Sequence, residues 1–368
     1  MGEGNIGVHS RKEGRFICHV CGNPFSATKA TVFYRLRTSV ELVTQVVTLL
    51  AYGCPVAAIV AAFGLDERTV YAWQRRAGKH CRAVHEHLVE QPHDLGQVQA
   101  DEIRVKHQGG VAWLAMALQV PTRLWLGGVV SVCRNGVLIE RLMGQVRQAV
   151  GGHRHGDRPP PCCALYRPLL LCVDGLAAYV SAVKQVFRTP VFSGKGGRPR
   201  LRAWDNLCVV QVVKQVAAKR VVGVVRRLVM GTETQAQMLL RKTQNTLTAH
   251  VAYIERLNGT FRARISALVR RGRALARQVA TLEDAMFLLG CVYNFCDPHT
   301  SLRRVLYLPD NSRRWVPMTP AMQAGITDQV WSPEQLLGYE VPLSRWEPPK
   351  HRGKRSKKVQ QLINQWLK

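Results

Sequence analysis

Leu169-Leu170-Leu171-Cys172-Val173-Asp174-Gly175 is an unbroken apolar run that stops at an acid and a glycine. So short a run reads as a strand buried on both faces. A helical pattern, Leu176 to Phe187, follows directly, giving strand, turn, helix and an α/β fold class. Upstream, Gln97 to Val105 carries Val98, Ile103 and Val105, and Gly109-Gly110 forms a turn. Val111 to Val120 and Leu124 to Cys133 are apolar runs split by Pro121-Thr122-Arg123, a hairpin. Three antiparallel strands thus precede a helix from Gly136 to Val150, capped by Asn135. Downstream, Gly194-Lys195-Gly196-Gly197-Arg198-Pro199-Arg200 is a basic loop suited to phosphate contacts, or else a plain solvated linker. Cys208 to Val213 and Val221 to Leu228 form a second, basic hairpin. The chain is expected to be helical from about Asn245, and Leu282 to Phe295 is a last apolar helix stopped by Asp297-Pro298.

An acid at the carboxyl end of a central strand is where α/β folds place chemistry. Asp174 has that position; the alternative is that it only caps the following helix. A second acid stands out in Tyr253-Ile254-Glu255-Arg256-Leu257-Asn258-Gly259-Thr260-Phe261-Arg262. Glu255 is followed by Arg256, Arg262, Arg264, Arg270, Arg271, Arg273 and Arg277. One acid among so many arginines makes sense if it holds a metal while the arginines hold phosphates. Asp101, in Gln99-Ala100-Asp101-Glu102-Ile103, completes a trio. Carboxylates are the hard oxygen ligands that Mg²⁺ or Mn²⁺ prefers. Glu102 alternates to the other side of the strand and is expected outside the site. Asp205 precedes a strand instead of ending one and is a weaker second aspartate.

The composition agrees with a polyanion partner. Lys plus Arg is 52 against 24 for Asp plus Glu, a formal charge of +28 over 368 residues. Such an excess opposes compaction and favours nucleic acid. The most apolar stretch, Val209 to Met230, is broken by Lys214, Lys219, Arg220, Arg226 and Arg227, so no membrane span is expected. The amino terminus has no signal-peptide core, and the eleven cysteines are expected to be reduced thiols in a cytoplasm.

The first 37 residues are expected to be loose, apart from Cys18-His19-Val20-Cys21-Gly22. Cys-x-x-Cys followed by Gly and an aromatic is a zinc-knuckle-like turn, half of a four-ligand site. No second pair is evident, with His9 and His19 the nearest candidates; two small buried thiols are the alternative. Residues 38–92 read as helices. An apolar helix from Val56, the turn Gly64-Leu65-Asp66 and a helix from Glu67 ending in Gln74-Arg75-Arg76 make a helix-turn-helix pattern. An ordinary helical hairpin is the alternative. His80, His85 and His87 are expected on a solvated helix face. Residues 93–296 form the α/β core. Residues 297–368 form a basic C-terminal tail.

The element order, three strands, helix, strand, helix and a later helix, is that of a ribonuclease-H-like fold. The residues resemble the DDE-type transposases of bacterial insertion sequences, relatives of retroviral integrases. The resemblance rests on the Asp101, Asp174 and Glu255 intervals, the Tyr253–Thr260 string, Arg262 seven residues after the glutamate, and the Cys-x-x-Cys and helix-turn-helix head. It covers roughly residues 16–295. Two departures stand out: the second zinc pair is missing, and the interval from Asp174 to Glu255 exceeds that of the compact retroviral arrangement, which implies that the basic hairpin around 200–230 is an insertion.

The resemblance implies that Asp101, Asp174 and Glu255 hold Mg²⁺ or Mn²⁺, that Arg262 contacts DNA near them, and that a nicked end attacks a target strand. Arg68, Arg75 and Arg76 of the helix-turn-helix, Lys195, Arg198 and Arg200 of the basic loop, and Arg256, Asn258, Arg262 and Arg264 of the glutamate helix are the expected DNA contacts. The protein would act as a homo-oligomer on element ends and target DNA, nucleoid-associated in a prokaryotic cytoplasm. The competing classes are a regulatory DNA-binding protein without catalysis and a metal-dependent nuclease of the same fold.

Overall fold

The computed structural model describes residues 5–12, 14–20, 22–151, 167–191, 198–218, 220–269, 275–309, 312–342 and 356–366. The expectation of a loose amino terminus is corrected. Strands β1 (Ile6–Ser10), β2 (Arg15–Cys18) and β3 (Pro24–Ser26) pair as an antiparallel sheet, with Phe16 packed on Phe25 at 5.8 Å.

Helices α1 (Val40–Ala51), α2 (Val56–Phe63) and α3 (Glu67–Leu88) follow. Ser39 caps α1 and Asp66 caps α3, each side chain accepting from a first-turn N–H. Gly64, at φ 62°, turns the chain between α2 and α3. The second half of α3 lies in the main core, against α8 (Val279–Cys291). At Gly78 a β-carbon would sit 2.4 Å from the Asp284 carbonyl oxygen, so only glycine permits this approach.

The rest is a mixed α/β architecture. Strands β4 (Gln97–His107), β5 (Gly110–Gln119), β6 (Trp125–Ser131), β7 (Leu169–Val173), β10 (Leu207–Ala217) and β11 (Arg220–Met230) form one six-stranded mixed sheet in the order β11-β10-β7-β4-β5-β6. β4 runs antiparallel to β5 and parallel to β7, and β7 is parallel to β10. All five residues of β7 are buried, as their apolar run requires. Helices α4 (Gly136–Gly151) and α5 (Ala177–Val186) pack together, and α6 (Glu233–Gln244) and α7 (Ala252–Arg264) reach the β4 face bearing Gln97, Gln99 and Asp101. A small hairpin of β8 (Arg188–Val191) and β9 (Arg200–Ala203) lies beside them.

The hairpin expected as an insertion around 200–230 is only partly one. β10 is a full member of the sheet, buried from Leu207 to Val212, and only its outer half and β11 project. The helix α6 was not foreseen. Residues 297–342 are likewise no tail. Pro320–Gln323 (α9) and Pro333–Leu337 (α10) fold back on the helical layer, where Val32 donates to the Leu337 carbonyl and Trp331 stacks on Phe295 at 4.7 Å. The helical run Val279–Leu302 is long and apolar enough to cross a membrane, and 67% of its most apolar window is buried inside the fold.

Candidate active site

Alternation along β4 places Gln97, Gln99 and Asp101 on one face, and each fastens a different element. The Gln97 side chain donates to the Cys172 sulfur at 3.3 Å and accepts from Thr243 of α6 at 2.6 Å. Gln99 donates to the His250 carbonyl at 2.6 Å, and its Oε1 accepts from the backbone N–H groups of Tyr253 and Ile254, both at 3.0 Å. These are first-turn donors of α7, and Val251 at the N-cap position offers them no side-chain bond. A side chain from β4 therefore does the capping. Asp101 accepts from Asn258 Nδ2 of α7 at 2.7 Å and from the Glu102 N–H at 2.9 Å. Glu255 lies three residues before Asn258, on the same side of α7.

The second aspartate arrives by register. Ala100 pairs with Val173 in the parallel β4–β7 ladder, so Asp101 and Asp174, one step on, stand abreast on neighbouring strands. Asp174 also accepts from the Leu176 N–H at 2.9 Å, so it caps the turn into α5 and joins the acid cluster at once.

Glu102 corrects the expectation that it lies outside. Asp101, Glu102 and Asp174 each offer a ligand oxygen within 4.8 Å of the others. Glu102 is buried and bridges to Arg134 at 2.8 Å; the same guanidinium lies 3.6 Å from Asp174 and 4.7 Å over the Trp113 ring. Burial pushes the Glu102 carboxyl up, against the pull of Arg134. Asp101 is pushed up to about 6, first by burial and then by the charges of Glu102, Asp174 and Glu255. Three close carboxylates that share one guanidinium offer the hard oxygen donors that a divalent cation takes. Glu255 stays outside the tight group and pairs with Lys214 of β10.

The other expected residues divide. Arg68 and Arg75 are exposed on α3, as are Arg198 just before β9, Arg200 on β9 and Arg256 on α7. Arg76 is turned inward and donates to the Tyr34 carbonyl, so it holds the loop before α1. Asn258 is corrected from a DNA contact to a buried brace on Asp101. Arg264 pairs with Asp297 at 2.6 Å and stacks on Tyr52, tying α7 to α1. Arg262 is half-buried. Lys195 and Cys21 lie outside the described residues. Cys18 ends β2, and no metal-ligating cluster other than the acidic one occurs among the described residues. Asp205 is exposed and paired with Arg202. His85 is fully buried, bonded to the Leu126 carbonyl at 3.2 Å, and so corrects the solvated-face expectation.

Four residues were missed as parts of the site: Gln99, Glu102, Arg134 and Lys214. Only Gln99 carried a signal, its place two residues before Asp101 on one strand face. No family model matches the chain, and the comparison with curated proteins found no match.

Proposed function

We propose that this chain is a DNA transposase of the DDE type with a ribonuclease-H-like core. The observation that carries the reading is the register of β4 on β7, with Asp101 and Asp174 abreast and braced by the helix that bears Glu255. The sheet order supports it: an antiparallel β6-β5-β4 meander continued by parallel β7 and β10 is the ribonuclease-H-like order. A charge of +28 and the exposed Arg68, Arg75 and Lys79 along α3 support a DNA partner and an end-reading helix-turn-helix.

Asp101 and Asp174, joined by Glu255, would hold Mg²⁺ or Mn²⁺, which when bound stabilises charge on a phosphate oxygen. Asn258 fixes the Asp101 carboxylate, and Gln99 fixes the start of α7 and hence the height of Glu255. Glu102 holds the Arg134 guanidinium at the lip of the cluster, where it meets a phosphodiester entering the site. In the reaction, water hydrolyses one phosphodiester at an element end to leave a 3′-hydroxyl and a 5′-phosphate, and that 3′-hydroxyl then attacks a target phosphodiester and displaces the target strand's own 3′-hydroxyl.

One observation favours a second reading, a DNA-binding regulator without catalysis: the Glu255 carboxylate is engaged by Lys214 and stands apart from the tight acid group. Incubation with labelled DNA carrying the ends of the encoding element, against scrambled DNA, in Mg²⁺ and in EDTA, decides. Nicking at the ends only in Mg²⁺ supports the transposase. End-specific binding with no nicking in either ion condition supports the regulator.

A further inference from the structure

The β10–β11 hairpin does more than close the sheet. Gln211 is the last β10 residue paired to β7. From Val212 outward, β10 has only β11 beside it, and β11 is the sheet's edge. The hairpin continues to the Ala217–Arg220 pair as a two-stranded extension of the sheet. Two strands alone are marginal in water, and the outer end of this extension is exposed and open for something to cover it.

Three features say what. The outer ribbon exposes Val216, Val221 and Val222 at 57–66%, apolar surface that an uncovered edge ordinarily avoids because it invites mispairing. Residues 207–232 contain Lys214, Lys219, Arg220, Arg226 and Arg227 and no acid. Cross-strand partners share a face, so the register sorts the described cations onto both faces. Lys214 and Arg226 turn towards α7 and the segment before it, where they meet Glu255 and the Ala249 carbonyl. Arg227 pairs with Gln211 and Arg220 with Ala217, on the opposite face. Lys214 and Arg226 are engaged inside the protein, so the cations open to a partner are Arg220 and Arg227 on the other face. Together with the valines at the ribbon's end they match a DNA groove, with phosphates along its wall and apolar sugar and base edges at the floor. The major groove admits a two-stranded ribbon. A second copy of the chain is a poor occupant, because it brings a further +28 charge to a surface without acids.

We propose that the β10–β11 ribbon is a DNA-groove arm that seats duplex DNA beside the acid cluster, with Arg220 and Arg227 on phosphates and Val216, Val221 and Val222 against the groove floor. The proposal rests on the DNA reading above but not on catalysis. Lys214 fixes the arm's place, since the same residue touches Glu255.

The test uses the full chain, a fluorescein-labelled duplex of mixed sequence and anisotropy titrations over a range of salt, without divalent metal. The double variant Arg220→Gln, Arg227→Gln is expected to lower the salt slope by about 0.9 for each lost phosphate contact. The triple variant Val216→Thr, Val221→Thr, Val222→Thr keeps β-branched residues in the strands. It is expected to weaken binding about tenfold with the slope unchanged. Wild-type affinity and slope in both variants overturn the arm. So does a DNA-free dimer in sedimentation that the threonine variant converts to monomer, which makes a second copy the occupant. The two readings fail separately. A wild type with ribbon-dependent binding that never nicks element ends in Mg²⁺ keeps the arm and loses the transposase. Nicking with ribbon-independent affinity does the reverse.

Discussion

Asn258 donates its side-chain amide to Asp101 at 2.7 Å, across the gap between α7 and β4. The bond joins the helix of the third acid to the strand of the first, so the two are set by one contact. Partners of this kind typically change metal affinity or activity by about 10–100-fold when removed. Asn258→Ala is therefore expected to lower single-turnover cleavage by about that range, with end binding unchanged. Asn258→Asp adds a like charge beside Asp101 and is expected to be worse at neutral pH. Equal binding losses in both variants would instead make Asn258 the DNA contact first expected from its place in the helix.

Gln99 has the larger structural task. It satisfies the His250 carbonyl and two first-turn N–H groups of α7. Gln99→Leu leaves all three without that partner, at about 1–3 kcal/mol for each group that stays buried and unsatisfied. The expected result is a lowered Tm together with a fall in cleavage rate. A variant with normal Tm and normal rate would show that α7 finds its place without the strand.

Asp101→Asn, Asp174→Asn and Glu255→Gln are each expected to cut the rate by on the order of a thousandfold or more, since each 1.36 kcal/mol is about tenfold. Double variants should be no worse, because on the proposed reading the three would act as a unit. Glu102→Gln belongs with the damaging substitutions. It removes the buried partner of Arg134 and changes a group within 4.8 Å of both aspartates. Asp205→Asn, on an exposed pair with Arg202, should leave the rate near wild type.

Much of this arrangement could be read from residue order, and the reasons for the rest are physical. The β7 run and its terminal acid were legible because a doubly buried strand must be apolar throughout. The β5–β6 hairpin was legible because Pro121 cannot continue a central strand. Glu102 was misread because alternation predicts the direction of a side chain at its root. A glutamate on the far face can still bring its carboxylate back towards Asp174 at a strand end. Asn258 sat in a basic string that suggested DNA, while its burial depends on how α7 docks on β4. His85 looked solvated because α3 is polar on average; its partners Leu126, Trp125 and Phe287 are far away in sequence.

That burial has a titration consequence. His85 is lowered to about 3, first by burial, from an ordinary value of 6.5. Between those values the unfolded chain binds a proton that the native one refuses. The stability contributed by neutral His85 is full above pH 6.5 and is lost as pH falls towards 3, by up to about 1.4 kcal/mol per pH unit. Urea unfolding between pH 7 and 5 should show this slope, and His85→Gln should flatten it. A slope unchanged by the substitution would assign the acid sensitivity to other groups.

Asp101 gives the opposite sign. Its carboxyl is raised from 3.8 to about 6, mainly by burial. The native state keeps the proton where the unfolded chain has released it. The contribution of Asp101 to stability is thus full below 3.8 and lost as pH rises through 6. A divalent cation takes the ionised form and stabilises the native state in proportion to its binding. Mn²⁺ should therefore raise Tm strongly at pH 7.5. Its apparent affinity should fall about tenfold per unit below pH 6, as a proton competes for Asp101. Scans with and without Mn²⁺ at each pH isolate this effect, because His85 titrates alike in both. Asp101→Asn should abolish the Mn²⁺ shift and its pH dependence together. A shift of equal size at pH 5 and pH 8, or one retained in Asp101→Asn, would place the ion away from Asp101 and remove the chemical basis of the three-carboxylate site.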